Sequence, residues 1–231
     1  MSNELVEPSH EHENLQNRMV EQGTKTMQIK ICGLYRDVDV DAVNEAAPDW
    51  AGFIINVPFS HRSISAKRAA KLVSRLNESI KPVGVFFNSP PEEIADAAEL
   101  AGFSIVQLHG DETNEDIELI RNLFSGRSLD CQIWKAFKIE NEESIAKARE
   151  SSADLVLLDG GTGEGRTFNW QLCTMIDRPF IVAGGLSQEN IADAFEATSA
   201  FACDLSSGVE TNKMKDPIKI KAAVDVARSI E

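Results

Sequence analysis

The chain has 231 residues, of which 42% are hydrophobic and 26% charged, a globular composition that excludes a disordered or fibrous protein. Its formal net charge is −14, and no cluster of Lys or Arg could neutralise a row of phosphates, so we predict no nucleic-acid partner. No stretch approaches the roughly 18 consecutive apolar residues of a membrane span, and the N-terminus lacks the features of a signal peptide, so no membrane association is predicted.

The first 26 residues are polar and show no apolar periodicity, which predicts a disordered N-terminal extension over residues 1–26. A short tract rich in His and Glu includes His10 and His12, but it is weak evidence for a metal, and no metal site is predicted. The pattern changes at Met27, and residues 27–231 are predicted to form one domain.

Eight short runs rich in β-branched and aromatic residues alternate with stretches of helical period, which predicts βα units and a parallel sheet. The predicted strands are Met27–Cys32, Trp50–Asn56, Pro82–Phe87, Ser104–His109, Gln132–Phe137, Ala153–Asp159, Phe180–Ala183 and Phe201–Leu205. The predicted helices are Val38–Ala46, Ser65–Asn77, Pro91–Leu100, Asn114–Leu123, Glu142–Arg149, Trp170–Ile176, Gln188–Glu196 and Pro217–Ser229.

Helix-starting residues support several of these boundaries. Ser65, Thr113 and Ser187 are predicted caps, while Pro91 and Pro217 suit a first helical turn. Eight βα units in a chain of this length favour a closed (β/α)₈ TIM barrel over an open doubly wound sheet, and no G-x-G-x-x-G follows the first strand. The predicted fold class is therefore α/β, a single TIM barrel.

The four cysteines lie far apart, with no C-x-x-C pair and no accompanying His spacing. This spacing indicates neither a disulfide framework nor a metal site, and it fits the reducing cytoplasm.

Polar residues close several predicted strands, and functional residues of a TIM barrel lie at those carboxyl ends. They are Cys32 at the end of the first strand, the Ser60–Arg62 loop after the second, Gln107 and His109 at the end of the fourth, Asp159 at the end of the sixth and Asp204 at the end of the eighth. We expect them to surround one site.

Glycine-containing loops follow the seventh and eighth strands, at Ala183–Gly185 and Asp204–Gly208. Glycines let the backbone approach a ligand, a following helix adds its N-terminal dipole, and these loops are the usual phosphate site of the fold. The sequence predicts phosphate binding by Gly184, Gly185, Ser206, Ser207 and Gly208. The alternative is that the glycines only shape turns.

Each candidate side chain also has a simpler interpretation. Cys32 could be an inert core thiol, although a thiol can act as a general base where nearby cations or helix dipoles favour the thiolate. Asp159 could be a loop or capping carboxylate, and Arg62 could be a solvated surface charge.

Several motifs together resemble the phosphoribosylanthranilate isomerase family. They are Lys30–Leu34 (KICGL), Gly84–Asn88 (GVFFN), Val106–Glu112 (VQLHGDE), Leu157–Asp159, Thr167–Trp170, Ala183–Leu186 with Asn190, and Asp204–Glu210 (DLSSGVE). Each is weak alone, but together they span nearly everything from Met27 onward, in the order found in that family.

The resemblance implies an Amadori rearrangement in tryptophan biosynthesis, without cofactor or metal, by a monomer or homodimer acting on a small phosphorylated substrate. It implies Cys32 as general base, Asp159 as general acid, and Arg62 as partner of the anthranilate carboxylate. Gln107, His109 and Asp204 would line the pocket, and the last two loops would hold the phosphate.

Besides its N-terminal segment, the sequence departs from the family pattern at one place. Gly160–Gly163 follows Asp159 directly, where the family has a longer loop, so the register from Gly160 to Thr167 stays open.

Two other classes of function compete with the isomerase: another phosphate-binding barrel enzyme, and a barrel without catalytic activity. Indole-glycerol phosphate synthase would need a catalytic lysine near the end of the first strand, and Lys30 is expected to point away from Cys32. A ribulose-phosphate epimerase would need a metal site, and the sequence lacks the ligands for one. A barrel that only binds is disfavoured because Cys32 and Asp159 are both present.

Overall fold

The computed structural model describes residues 26–160 and 169–230. Its strands are β1 (Gln28–Cys32), β2 (Trp50–Ile55), β3 (Ser63–Ile64), β4 (Lys81–Phe86), β5 (Ile105–Leu108), β6 (Gln132–Lys138), β7 (Leu155–Asp159), β8 (Phe180–Ala183), β9 (Ala202–Leu205), β10 (Glu210–Thr211) and β11 (Met214–Lys215). Its α-helices are α1 (Asp37–Ala46), α2 (Ala66–Val73), α3 (Pro91–Ala101), α4 (Asn114–Gly126), α5 (Glu142–Arg149), α6 (Ile191–Thr198) and α7 (Pro217–Ser229).

Eight parallel strands form a closed barrel. The strand order is β1-β9-β8-β7-β6-β5-β4-β2, and β1 also pairs with β2, which joins the two ends of the sheet. All eight strands were predicted from the sequence, and the predicted TIM barrel is confirmed. The two-residue strand β3 adds to β2, and β10 and β11 form a separate antiparallel pair.

Alternation along the strands divides the core into two layers. On β1, Ile29 and Ile31 pack outward against the helices, whereas Cys32 belongs to the cluster inside the barrel. Trp50 and Trp134 meet edge to face inside the barrel, with ring centroids 5.1 Å apart. Trp50 is the first residue of β2, so aromatic side chains fill the amino-terminal part of the barrel and leave the carboxyl end for a site.

Two of the three serine and threonine residues predicted to cap helices do so. Ser65 accepts a hydrogen bond from the Arg68 backbone, and Thr113 caps α4 in a reciprocal capping box with Asp116. Ser187 is not a helix cap, which corrects the prediction: α6 begins only at Ile191, because residues 188–190 form a turn.

The segment predicted as a helix over Trp170–Ile176 is a 3₁₀ helix over Trp170–Met175, begun by the Asn169 side chain. A second 3₁₀ turn, Ser207–Val209, follows β9. Within the described ranges, none of the helices is both long and apolar enough to cross a bilayer. Residues 1–25 of the predicted N-terminal extension, which include His10 and His12, lie outside the described residues. Residues 161–167, in the loop whose register stays open, also lie outside them.

Candidate active site

A cavity of about 1070 Å³ opens at the carboxyl ends of the barrel strands. The predicted site residues that line it are Cys32, Arg62, His109, Asp159, Gly184, Gly185, Asp204, Ser206 and Ser207. Six segments that are distant in sequence therefore meet at one place, as the strand-end argument anticipated. Gln107 is completely buried beneath this surface, and Gly208 packs behind it against Leu186.

Lys30 lies on the same inner face of β1 as Cys32, so the expectation that it points away is wrong. Side chains alternate along a strand, and residues two apart share a face. The Lys30 ammonium is completely buried and lies 2.8 Å from Asp204 Oδ2, also buried. A buried charge of this kind is tolerated because its partner carboxylate is held close.

Gly52 makes room for the Cys32 thiol. Gly52 is paired with Cys32 across β1 and β2, and a Cβ at position 52 would lie 2.9 Å from Cys32 Sγ and 3.2 Å from Lys30 Cε. Glycine at this position therefore allows both side chains to occupy the barrel interior.

Burial raises the pKa of the Cys32 thiol, and Asp204 acts in the same direction. Lys30 and Lys215 act in the opposite direction but do not outweigh burial. The expectation that surrounding cations favour the thiolate is therefore only partly met: the cations are present, yet burial outweighs them and favours the thiol. The pKa of Lys30 is raised, because Asp204 and Cys32 outweigh the opposing effect of burial.

Asp159 ends β7 and faces His109, the residue that follows β5. His109 Nε2 lies 3.3 Å from Asp159 Oδ2, and the Gln107 amide nitrogen lies 2.9 Å from His109 Nδ1. Because an amide nitrogen only donates, His109 Nδ1 accepts this bond, and a neutral ring carries its proton on Nε2 toward Asp159. Gln107 thus contacts His109 from below, and a direct contact between Gln107 and a ligand stays a prediction.

Gly184 keeps space beside the Asp159 carboxylate. Its φ is +92°, and a Cβ there would lie 2.7 Å from Asp159 Oδ1 and 2.6 Å from the Gly160 nitrogen. Both the backbone conformation and the close approach therefore require glycine.

The two glycine-containing loops touch each other and form one wall of the cavity. A Cβ on Gly208 would fall 1.8 Å from the Leu186 carbonyl oxygen. The Asn190 side-chain amide donates to the Gly185 carbonyl at 3.0 Å, which ties the first loop to the start of α6. Lys215 Nζ donates to the Ser206 carbonyl at 2.8 Å, which places a cation behind the second loop.

Charged residues near the site that were not identified from the sequence as site residues include Lys30, Glu210 and Lys215. Lys30 could have been found from its two-residue spacing to Cys32. Glu210 and Lys215 come together only through the short β10–β11 pair, for which the sequence showed no signal. Arg62 donates to Glu210 through two nitrogens, a contact between residues 148 positions apart.

Comparisons with known proteins agree with this geometry. The family described as N-(5'phosphoribosyl)anthranilate (PRA) isomerase matches residues 29–226. An N-(5'-phosphoribosyl)anthranilate isomerase from a Thermoanaerobacter species is 36% identical over 211 residues, covering 88% of this chain and 99% of the relative. One from Acetivibrio thermocellus is 39% identical, covering 84% of this chain and 92% of the relative.

Solved structures give the same result. The phosphoribosyl anthranilate isomerase from Thermus thermophilus has a TM-score of 0.77 at 29% identity, covering 88% of this chain and 99% of its own. A second isomerase structure, a complex with reduced 1-(o-carboxyphenylamino)-1-deoxyribulose 5-phosphate, has a TM-score of 0.74 at 33% identity, covering 88% and 100%. The chain belongs to the phosphoribosylanthranilate isomerase family.

Proposed function

We propose that this cavity catalyses the Amadori rearrangement of N-(5-phosphoribosyl)anthranilate to 1-(2-carboxyphenylamino)-1-deoxyribulose 5-phosphate, a step of tryptophan biosynthesis. The observation that carries the proposal is that Cys32 and Asp159, a candidate base and a candidate acid, line one cavity in a chain of this family. The relative crystallised with a reduced form of the product supports the same ligand class. The comparisons do not favour indole-glycerol phosphate synthase.

Asp159 is the proposed general acid. When protonated, it gives its proton to the furanose ring oxygen as the bond from C1 to that oxygen breaks, and the anilino nitrogen forms a C1=N double bond. The ring opens to a Schiff base whose former ring oxygen becomes a hydroxyl. His109, whose Nε2 lies 3.3 Å from the carboxylate, holds the side chain in place for this transfer.

Cys32 is the proposed general base. As the thiolate it removes the proton from C2, the C–H electrons form a C1=C2 double bond, and the C1=N electrons return to nitrogen. The resulting enolamine takes up a proton at C1 and loses its C2 hydroxyl proton to give the ketone. Strands β1 and β7 are separated by β9 and β8, so base and acid project from different sides of the barrel mouth.

The two anionic ends of the substrate have separate proposed binding groups. Arg62 would bind the anthranilate carboxylate through charge-assisted hydrogen bonds. The loops containing Gly184, Gly185, Ser206 and Ser207, which form one wall of the cavity, would hold the phosphate, with Gly208 keeping the loops close together. Asp204, which also lines the cavity, pairs with Lys30 beneath Cys32.

A negative charge placed on the first loop should weaken phosphate binding strongly. Inorganic phosphate is expected to inhibit the enzyme competitively, and Gly185→Asp should weaken this inhibition about tenfold or more by like-charge repulsion. Gly185→Asn is the matched control, because Asn also adopts a φ near the +67° of Gly185 but adds no charge. Equal inhibition constants in the Asp and Asn variants would place the phosphate elsewhere.

The activity itself is tested with purified chain and freshly prepared phosphoribosylanthranilate. The substrate fluorescence should disappear in proportion to enzyme, and added indole-glycerol phosphate synthase should convert the product to indole-glycerol phosphate. Accumulation of free anthranilate, or enzyme-independent decay, would refute the proposed function.

We also infer a cytoplasmic location and a monomeric or homodimeric state. All four cysteines are free thiols, as the reducing compartment requires. The isomerase from Thermotoga maritima, in a solved structure 33% identical to this chain, is described as dimeric with monomeric variants.

A further inference from the structure

A bidentate ion pair fixes the orientation of Arg62 at the cavity wall. Arg62 Nε lies 2.6 Å from Glu210 Oε1, and Arg62 Nη2 lies 2.8 Å from Glu210 Oε2. The Glu210 side chain is 5% exposed and that of Arg62 18% exposed. A guanidinium held along one edge by a buried carboxylate has little freedom to rotate.

Among residues 26–160 and 169–230, only Glu210 accepts a hydrogen bond from the Arg62 side chain, so the Nη1 side of the guanidinium remains available to a ligand. Arginine has five N–H donors, and the contacts with Glu210 use two of them. Arg62 lines the cavity, so a second carboxylate could approach the remaining donors from that side. This arrangement suits planar, bidentate recognition of an arylcarboxylate.

Lys215 keeps Glu210 in place and sets the charge of the cluster. Its ammonium is completely buried and lies 2.8 Å from Glu210 Oε1. Burial disfavours charge on Glu210, but Arg62 and Lys215 outweigh it and lower the Glu210 pKa to about 2. Glu210 stays ionised at neutral pH and pairs with both cations. Burial lowers the pKa of Lys215, although Glu210 acts against this. With Lys215 protonated, the cluster of Arg62, Glu210 and Lys215 carries one net positive charge beside the cavity.

Gly33 provides the path of the Arg62 side chain. A Cβ at Gly33, whose φ is +81°, would lie 2.4 Å from Arg62 Cδ. The arginine stem therefore crosses directly over the residue that follows Cys32, and its position depends on both this glycine and Glu210.

We propose that Glu210 is a positioning residue that presents the free edge of Arg62 to the substrate carboxylate. This inference rests on the proposed function, in which Arg62 binds that carboxylate. Glu210 itself need not touch the substrate, so its loss should act on one end of the ligand only. Lys215 also donates to the Ser206 carbonyl, and because this contact does not involve Glu210, the phosphate loop should keep it when Glu210 is changed.

Two inhibitors that mimic the two ends of the substrate separate this role from a structural one. In Glu210→Gln, the inhibition constant of anthranilate should rise about tenfold, as expected for losing a charge-assisted contact, while that of inorganic phosphate stays within twofold. KM should rise more than kcat falls. Glu210→Asp, which keeps the charge but shortens the side chain, should show a smaller loss. Asp177→Asn, which breaks an exposed bidentate pair with Arg149, is the matched control and should change neither constant.

Arg62→Ala distinguishes failure of this inference from failure of the proposed function. If Arg62→Ala weakens anthranilate inhibition but Glu210→Gln and Glu210→Asp do not, Glu210 is structural and the inference is overturned. If Arg62→Ala leaves anthranilate inhibition unchanged, the carboxylate binds elsewhere and both assignments fall. An equal rise in the anthranilate and phosphate inhibition constants of Glu210→Gln would also overturn the positioning role of Glu210, since a general loss of structure would raise both constants.

Discussion

Cys32→Ala should lower kcat by about 10²- to 10⁴-fold, the usual contribution of a positioned acid or base. The substitution removes the proposed base for the C2 proton and only one buried sulfur atom, so folding should be nearly unaffected. Substrate should still bind, because Arg62 and the phosphate loops are intact. Steady-state kinetics, with thermal denaturation to check the fold, measure both effects.

Cys131→Ala is the matched control for the thiol. Cys131 is half-buried just before β6, and burial raises its pKa to about 12. Because this thiol does not line the cavity, its removal should leave kcat within about twofold of wild type. If Cys32→Ala behaved like Cys131→Ala, Cys32 would be an ordinary core cysteine and the mechanism would be wrong.

Asp159→Asn should also lower kcat by about 10²- to 10⁴-fold, because an amide cannot donate the proton that opens the furanose ring. The shape of the side chain is kept, and the asparagine oxygen can still accept a hydrogen bond from His109. The melting temperature should therefore change little. Asp177→Asn, at an exposed ion pair with Arg149, controls for loss of a carboxylate. Wild-type kcat in Asp159→Asn would exclude Asp159 as the acid.

The sequence allowed the barrel and the position of its site to be predicted, because both depend on local patterns. Strand runs and helical periods mark each βα unit, and in a parallel barrel every strand ends at the same face. This rule brought Cys32, His109 and Asp159 together without any knowledge of distances. The error at Ser187 arose because a turn, rather than a helix, follows that serine.

The electrostatics of the site could not be predicted in the same way. The pairs Lys30–Asp204 and Arg62–Glu210 join residues 174 and 148 positions apart, and neither partner marks the other in the sequence. The raised pKa of Cys32 depends on the balance between burial and two lysines. Such a balance is a property of the assembled barrel.

The raised thiol pKa also determines how activity should depend on pH. In the wild type, the active form needs a thiolate and a protonated carboxyl together, so neither limb of the pH profile can be assigned to one of the two groups alone. Asp159→Asn removes the carboxyl and leaves Cys32 as the titrating group of that pair. A base is active when deprotonated, so a raised pKa moves its activation to higher pH.

The most direct test of the acid–base account is therefore the pH profile of residual kcat/KM in Asp159→Asn. We predict a rise of about tenfold per pH unit from pH 7 to 8.5, continuing above the usual thiol pKa of about 8.5 because burial raises that of Cys32. The double variant Cys32→Ala/Asp159→Asn should lack this rise. A residual rate that is independent of pH over this range, or a rise that persists in the double variant, would contradict Cys32 as the base.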